Sequence, residues 1–267
     1  MMETEKPAGE KKHLRRSAAL LALATIIFLT ATWEANALKD NVGIKDVRVS
    51  GTRLLSAKDV IALAAIDRSQ KLYALDINAV RRRVETNPYV ESAEIIRDVR
   101  GNIMIVVHER VPVVAVVNDK TVYLDDSARV LPQVQSTQVL DLPLLTGSMR
   151  AEDFVPGKKV HNESVLRALG LLDTARAFGD DLYHRISEVH VAGDGALVCY
   201  TAESGIPVAF GQGGVAVKLA KLDGFWKQYV AREGAQALNY IDLRFDDIVV
   251  ARWNQQQEPA LDERVNP

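Results

Sequence analysis

Cysteine is almost absent from the 267-residue sequence, whose single thiol belongs to Cys199. One cysteine excludes an intrachain disulfide and any metal site built from several thiolates. The five histidines lack HExxH spacing, and the glycines of residues 211–214 lack the GK[ST] ending of a phosphate-binding loop. We therefore expect no catalytic residues, no metal and no cofactor; an exported hydrolase would need such residues. Cys199 is predicted to be a structural thiol.

Positive charge is not in excess either, because the formal net charge is -2 and the pI is near 6.2. Proteins that bind nucleic acid usually present a basic footprint, so we expect no nucleic-acid partner. Because catalytic motifs are lacking, we also expect no small-molecule substrate. A composition of 48% hydrophobic and 25% charged residues is typical of a folded protein. The length allows one large domain or two small ones.

A long apolar run lies near the N-terminus, where Ser17–Trp33 carries no charge. As a helix this run would span roughly 26 Å, slightly less than a hydrocarbon core of about 30 Å. Residues 1–16 hold five Lys or Arg and three Glu, so the positive-inside rule keeps them in the cytoplasm. We expect a single-pass type II inner-membrane protein with a transmembrane helix at 17–33 and a linker at 34–43.

A cleaved signal peptide is the alternative, because Ala35-Asn36-Ala37 has the A-x-A pattern of a cleavage site. Cleavage there would produce a mature protein that begins at Leu38. The apolar run is longer than the usual core of a signal peptide, which favours an uncleaved anchor. In both cases the remaining chain folds outside the cytoplasm.

Residues 44–112 have the pattern of a small β-α-α-β-β unit, with two helices against one face of a three-stranded sheet. Its elements are a strand at 44–49, a helix capped by Ser56, a helix capped by Asp76, and strands at 90–98 and 103–110. Residues 81–83 are all arginine, and we expect them to form a solvated helix face rather than a phosphate site.

Residues 113–253 are predicted to form a mixed β-rich domain with flanking helices, followed by a flexible tail at 254–267. The fold class is therefore α+β. The predicted elements are a meander after 112, a loop at 142–147, a helix at 163–178, strands at 186–192, 196–201 and 206–210, a helix with a Leu222, Phe225, Trp226 and Tyr229 core stripe, and a final strand within 240–253.

The first of these units resembles a POTRA domain, the polypeptide-transport-associated module of exported envelope proteins. The shared pattern is V-x-V-x-G, a helix, D-x-x-x-V, N-P-x-V and H-E-R-V-P. The residues that carry it are Val47, Val49, Gly51, Asp76, Val80, Asn87, Pro88, Val90 and His108–Pro112.

Nearly the whole chain resembles the FtsQ (DivIB) family of bacterial cell-division proteins, most specifically in Leu142-Pro143 with Gly147 and in YIDLRF at 240–245. The resemblance implies a non-enzymatic divisome scaffold at the septum that links early and late division proteins. It also implies that a C-terminal edge strand receives a strand from FtsB, which comes with FtsL. The POTRA domain would recruit other division proteins.

Carried onto this sequence, the resemblance assigns the partner contacts to Phe245, Ile248, Val250 and Trp253. Phe245 and Trp253 would be the anchors, because aromatic residues dominate interface energies. The alternative is that these rings close the core of their own domain. A competing function is a signal-cleaved POTRA module for polypeptide transport, but the chain has one such unit and no series of barrel strands.

Overall fold

The structure, a computed structural model, describes five segments of the chain: residues 20–30, 41–118, 120–133, 140–245 and 247–254. The chain divides into two compact units. One comprises the residues up to Thr86 together with Val90–His108, and the other comprises Asn87–Tyr89 and the residues from Glu109 onward. Each unit has its own hydrophobic core.

Residues 20–30 form helix α1, and their apolar side chains are exposed. The ends of the predicted membrane span, residues 17–19 and 31–33, lie outside the described residues. Among the helices that the structure describes, none has both the length and the apolarity required to cross a membrane.

The first unit has the predicted β-α-α-β-β order. Its elements are β1 (Asp46–Ser50), α2 (Ala57–Ala64), α3 (Ile77–Val84), β2 (Val90–Arg97) and β3 (Asn102–Glu109). β3 lies in the centre of the sheet and pairs with β1 in parallel. Apolar residues of both helices and all three strands form one core.

Both predicted helix caps of this unit are confirmed. The Ser56 side chain accepts a hydrogen bond from the Asp59 backbone N–H at 3.1 Å, and Asp76 accepts one from Ala79 at 3.0 Å. Each cap provides a partner for an N–H that has no acceptor within the helix, and such a cap contributes about 1 kcal/mol.

The prediction of a solvated arginine face is wrong for Arg83. Its Nε and Nη2 atoms donate to the carbonyl oxygen of Ala64 at 2.9 and 2.7 Å. Helix α2 ends there because Ala65 adopts a left-handed conformation, with φ of 44°. The guanidinium thus satisfies a carbonyl at the end of α2, a role that basic side chains often take at helix C-termini.

The second unit is a nine-stranded mixed sheet with helices α4 and α6 contributing to its core. Its strands are β4 (Pro112–Val117), β5 (Thr121–Asp125), β6 (Val130–Leu131), β7 (Leu144–Gly147), β8 (Ile186–Val191), β9 (Leu197–Thr201), β10 (Pro207–Gly211), β11 (Leu238–Asp242) and β12 (Val250–Trp253). Its helices are α4 (Glu163–Phe178), α5 (Asp180–His184), α6 (Val215–Phe225) and α7 (Ala231–Glu233), with a π-helical turn at Trp226–Val230. The strand order is β12-β11-β10-β9-β8-β7-β4-β5-β6.

The predicted loop at 142–147 is wrong, because its last four residues form strand β7 in the middle of the sheet. β7 pairs in parallel with β4 on one side and β8 on the other. Leu145 is fully buried, whereas Leu144 is partly exposed. Gly147 ends the strand at φ 105°, where a Cβ would lie 2.1 Å from the Val191 carbonyl oxygen. Glycine is therefore required at this position.

The predicted core stripe on the helix before β11 holds only in part. Leu222 and Trp226 are buried and Phe225 is half-buried, but Tyr229 is 48% exposed. The π-helical turn at Trp226–Val230 adds a residue to the local repeat, so the buried position passes from residue 229 to Val230.

Candidate partner-binding edge of the sheet

Residues 240–253, predicted as part of one final strand, form two antiparallel strands instead. β11 ends at Asp242, and β12 begins at Val250. Leu243 at the start of the connection is fully buried, while Phe245 is exposed. In the residues described by the structure, β12 has a hydrogen-bonded neighbour on one side only, which is β11.

The direction of the β12 peptide groups follows from its pairing. Tyr240 lies opposite Arg252, and the N–H of Asn254 donates to the Ala237 carbonyl at 2.7 Å. The N–H and C=O groups of alternate strand residues point to the same side, so those of Val250 and Arg252 face β11. The groups of Ala251 and Trp253 consequently point away from the sheet. We call this outward side of β12 the free edge.

The predicted contact residues occupy three different environments. Phe245 and Ile248 lie in the connection between β11 and β12 and are 50% and 56% exposed. Val250 lies on β12 and is 40% exposed. Trp253 lies on the opposite face of that strand and is half-buried. The four side chains therefore belong to β12 or to the connection that precedes it, but they do not share one face.

Trp253 contacts the core of its own domain, which is the alternative considered from the sequence, and it is also partly exposed. Its ring packs against the domain core, with its centroid 6.2 Å from that of Phe225. It also lines a shallow surface groove. The groove residues are Tyr229, Glu233, Ala237, Trp253 and Asn254. The Trp253 side chain thus packs against the core of its own domain and also lines the groove.

An ion pair between Arg244 and Asp242, which we call the brace, holds the start of the connection. Arg244 donates through Nε and Nη2 to the Asp242 carboxylate, at 2.9 and 2.6 Å, and the Tyr240 hydroxyl donates to the same carboxylate at 3.1 Å. Asp242 is buried, and its bonds to Arg244 lower its pKa from the ordinary 3.8 to about 2. The alternation of residues 240, 242 and 244 places them on one face, a signal that sequence reasoning did not use.

Gly211 makes room for this brace. The Arg244 side chain passes across it, and a Cβ on Gly211 would lie 2.9 Å from Arg244 Cγ. Gly211 also has φ of 66°, which a side chain would oppose. Gly211 at the end of β10 is therefore also a packing surface for the start of the connection.

One polar cluster elsewhere on the sheet has residue types used in catalysis. The Thr146 hydroxyl lies 2.9 Å from His190 Nδ1 and donates to Glu188. Glu188 precedes His190 by two residues on β8, so the two side chains lie on the same strand face. The threonine proton is directed to the carboxylate, so the imidazole is not placed to remove it.

Cys199 is fully buried, and desolvation raises the pKa of its thiol. A thiol in this environment stays protonated and inert near neutral pH. In the segments that the structure covers, no three potential metal ligands among His, Cys, Asp and Glu cluster together. The free edge is accordingly the feature with the clearest binding potential.

Comparisons with known families agree with this two-unit organisation. Residues 42–110 match the family described as "POTRA domain, FtsQ-type", and residues 114–244 match "Cell division protein FtsQ/DivIB, C-terminal". The second match stops before β12.

Several curated proteins are similar to this chain, over shares of their own length that range from about half to more than nine tenths. The "Cell division protein FtsQ" of Rhodothermus marinus is 30% identical over 93% of this chain and 92% of its own. The protein of the same name from Geobacter sp. (strain M21) is 29% identical over 78% of this chain and 75% of its own. The "Cell division protein DivIB" of Clostridium tetani is 24% identical over 46% of this chain and 47% of its own.

Proposed function

Because the chain belongs to the FtsQ/DivIB family of cell-division proteins, we propose that it is a divisome scaffold that binds FtsB by strand addition at its free edge. FtsL joins through FtsB, and the POTRA domain recruits other division proteins. The scaffold is held in the inner membrane by residues 17–33, with residues 1–16 in the cytoplasm and the remainder on the outer side at the septum.

The observation that carries this proposal is the outward direction of the peptide groups of Ala251 and Trp253. Two residues of an extended chain offer two N–H donors and two C=O acceptors, which an added strand would pair. Main-chain pairing supplies affinity, and the neighbouring side chains supply selectivity. Phe245, Ile248, Val250 and Trp253 remain our candidate contacts.

The double substitution of Phe245→Ala and Trp253→Ala tests the site. We expect the folded ectodomain to lose capture of FtsB, since both aromatic anchors are removed. Phe245→Ala alone is the cleaner variant, because Phe245 is half exposed whereas Trp253 also packs on Phe225. Binding is measured by pull-down and calorimetry, with circular dichroism as the control for folding. Unchanged binding by a folded double variant would remove this site assignment.

A further inference from the structure

Arg252 carries a positive charge at the free edge, and no residue placed by the structure forms an ion pair with it. Its side chain is exposed on β12, and among the described residues no carboxylate lies within ion-pair distance of it. Arg244, the other arginine near this edge, differs because Asp242 binds it in a bidentate arrangement. Within the described residues of β12 and of the connection that precedes it, Arg252 is therefore the arginine without a carboxylate partner.

The backbone geometry places the Arg252 side chain where an added strand would approach it closely. The peptide groups of Arg252 point toward β11, whereas those of its two neighbours point outward. In an added antiparallel strand, the residue opposite Arg252 would occupy a non-hydrogen-bonded pair, with Cα atoms only about 4.5 Å apart. Side chains approach most closely at such pairs, and opposite charges there are favourable.

From this geometry we propose that Arg252 selects the register of the added strand by pairing with an acidic side chain opposite it. The inference rests on the proposed strand addition by FtsB. It goes further by fixing which residue class of the partner faces residue 252. A shift of one residue would turn the acidic side chain to the other sheet face, toward the groove that contains Glu233.

The same charge disfavours self-association through the edge. In an antiparallel pairing of two copies of β12, the register that joins the outward peptide groups of Ala251 in one strand to those of Trp253 in the other places Arg252 directly opposite Arg252. Like charges in directly opposed positions are destabilising. The free edge thus rejects a second copy of the chain and accepts an acidic strand.

Charge reversal tests the proposal. We expect Arg252→Glu in the full chain to weaken binding of the FtsB extracytoplasmic segment about tenfold, with a smaller difference at high salt because screening weakens charge pairs. Lys120→Glu is the matched control, since it makes the same charge change at an exposed residue beside β5 and should bind normally. Calorimetry at low and high salt provides the affinities.

The complementary arm replaces each acidic residue of the FtsB segment with lysine, one at a time. One such variant should restore binding to Arg252→Glu while losing affinity for the unaltered chain. The proposal is overturned if the unaltered chain binds FtsB and Arg252→Glu binds equally well, or if no lysine variant restores binding. Dimerisation of the unaltered chain that Arg252→Glu abolishes would also overturn it. Absence of FtsB binding by the unaltered chain would instead defeat the proposed function itself.

Discussion

The two edges of the nine-stranded sheet differ in whether their outward backbone groups have hydrogen-bond partners. At the β6 edge, the N–H of Val130 donates to the Lys158 carbonyl and the Val130 carbonyl accepts from Gly157, both at 2.8 Å. At the β12 edge, the corresponding groups of Ala251 and Trp253 have no such cover in the part of the chain that is described. Proteins usually cover or block exposed edges to prevent unwanted pairing. Because the β6 edge is covered and the described residues leave the β12 edge open, the β12 edge is a candidate binding surface.

Proline at residue 251 is expected to have the largest effect on binding at the free edge. Proline lacks the N–H that Ala251 directs outward, but it leaves the bonds to β11 intact, and edge strands tolerate it in this orientation. We expect Ala251→Pro to weaken FtsB binding more than tenfold, with a loss of stability below about 1 kcal/mol. Calorimetry and urea unfolding measure the two effects.

Two variants control this experiment. Ala251→Ser keeps the N–H and should bind normally. Val130→Pro removes the donor to Lys158 at the covered edge, so it should lower the free energy of unfolding by roughly 2 kcal/mol or more while sparing FtsB affinity in the folded fraction. Equal binding by Ala251→Pro and Ala251→Ser would contradict strand addition.

Loss of the Asp242 charge from the brace is expected to have a smaller effect, on the free energy of unfolding, that depends on pH. The pKa of Asp242 is lowered to about 2, so its stabilising contribution is complete above its ordinary value of 3.8 and is lost as the pH falls toward 2. We expect Asp242→Asn to lower the free energy of unfolding by about 1–3 kcal/mol at neutral pH. The difference from the unaltered chain should shrink in acid.

Urea unfolding at several pH values measures this difference. Asp247→Asn is the control, because Asp247 is exposed in the same connection and should leave stability unchanged. A difference between Asp242→Asn and the unaltered chain that stays constant from neutral pH to near pH 2 would show that the brace does not depend on the carboxylate charge.

Much of the first unit could be predicted from sequence because its signals are local. The caps at Ser56 and Asp76 and the periodic apolar positions lie within single elements. β7 was missed because four residues, LLTG, show no alternation, and their strand geometry comes from pairing with β4 and β8. Arg83 was misassigned because its carbonyl partner lies 19 residues away.

The candidate site was predicted less completely for a related reason. The apolar residues of 240–253 were recognised, but the division into β11 and β12 depends on where the Arg244–Asp242 brace turns the chain. Without that division, the directions of the side chains and peptide groups of residues 250–253 could not be assigned. The role of Arg252 depends on that facing, so no pattern in the sequence alone distinguished it from any other exposed arginine.

Amide hydrogen exchange of the full chain, with and without the FtsB extracytoplasmic segment, tests the central claim most directly. The account predicts that the N–H groups of Ala251 and Trp253 become protected on binding, while those of Val250 and Arg252, which already face β11, change little. Binding that leaves the Ala251 and Trp253 amides exchanging at their free rates would contradict it.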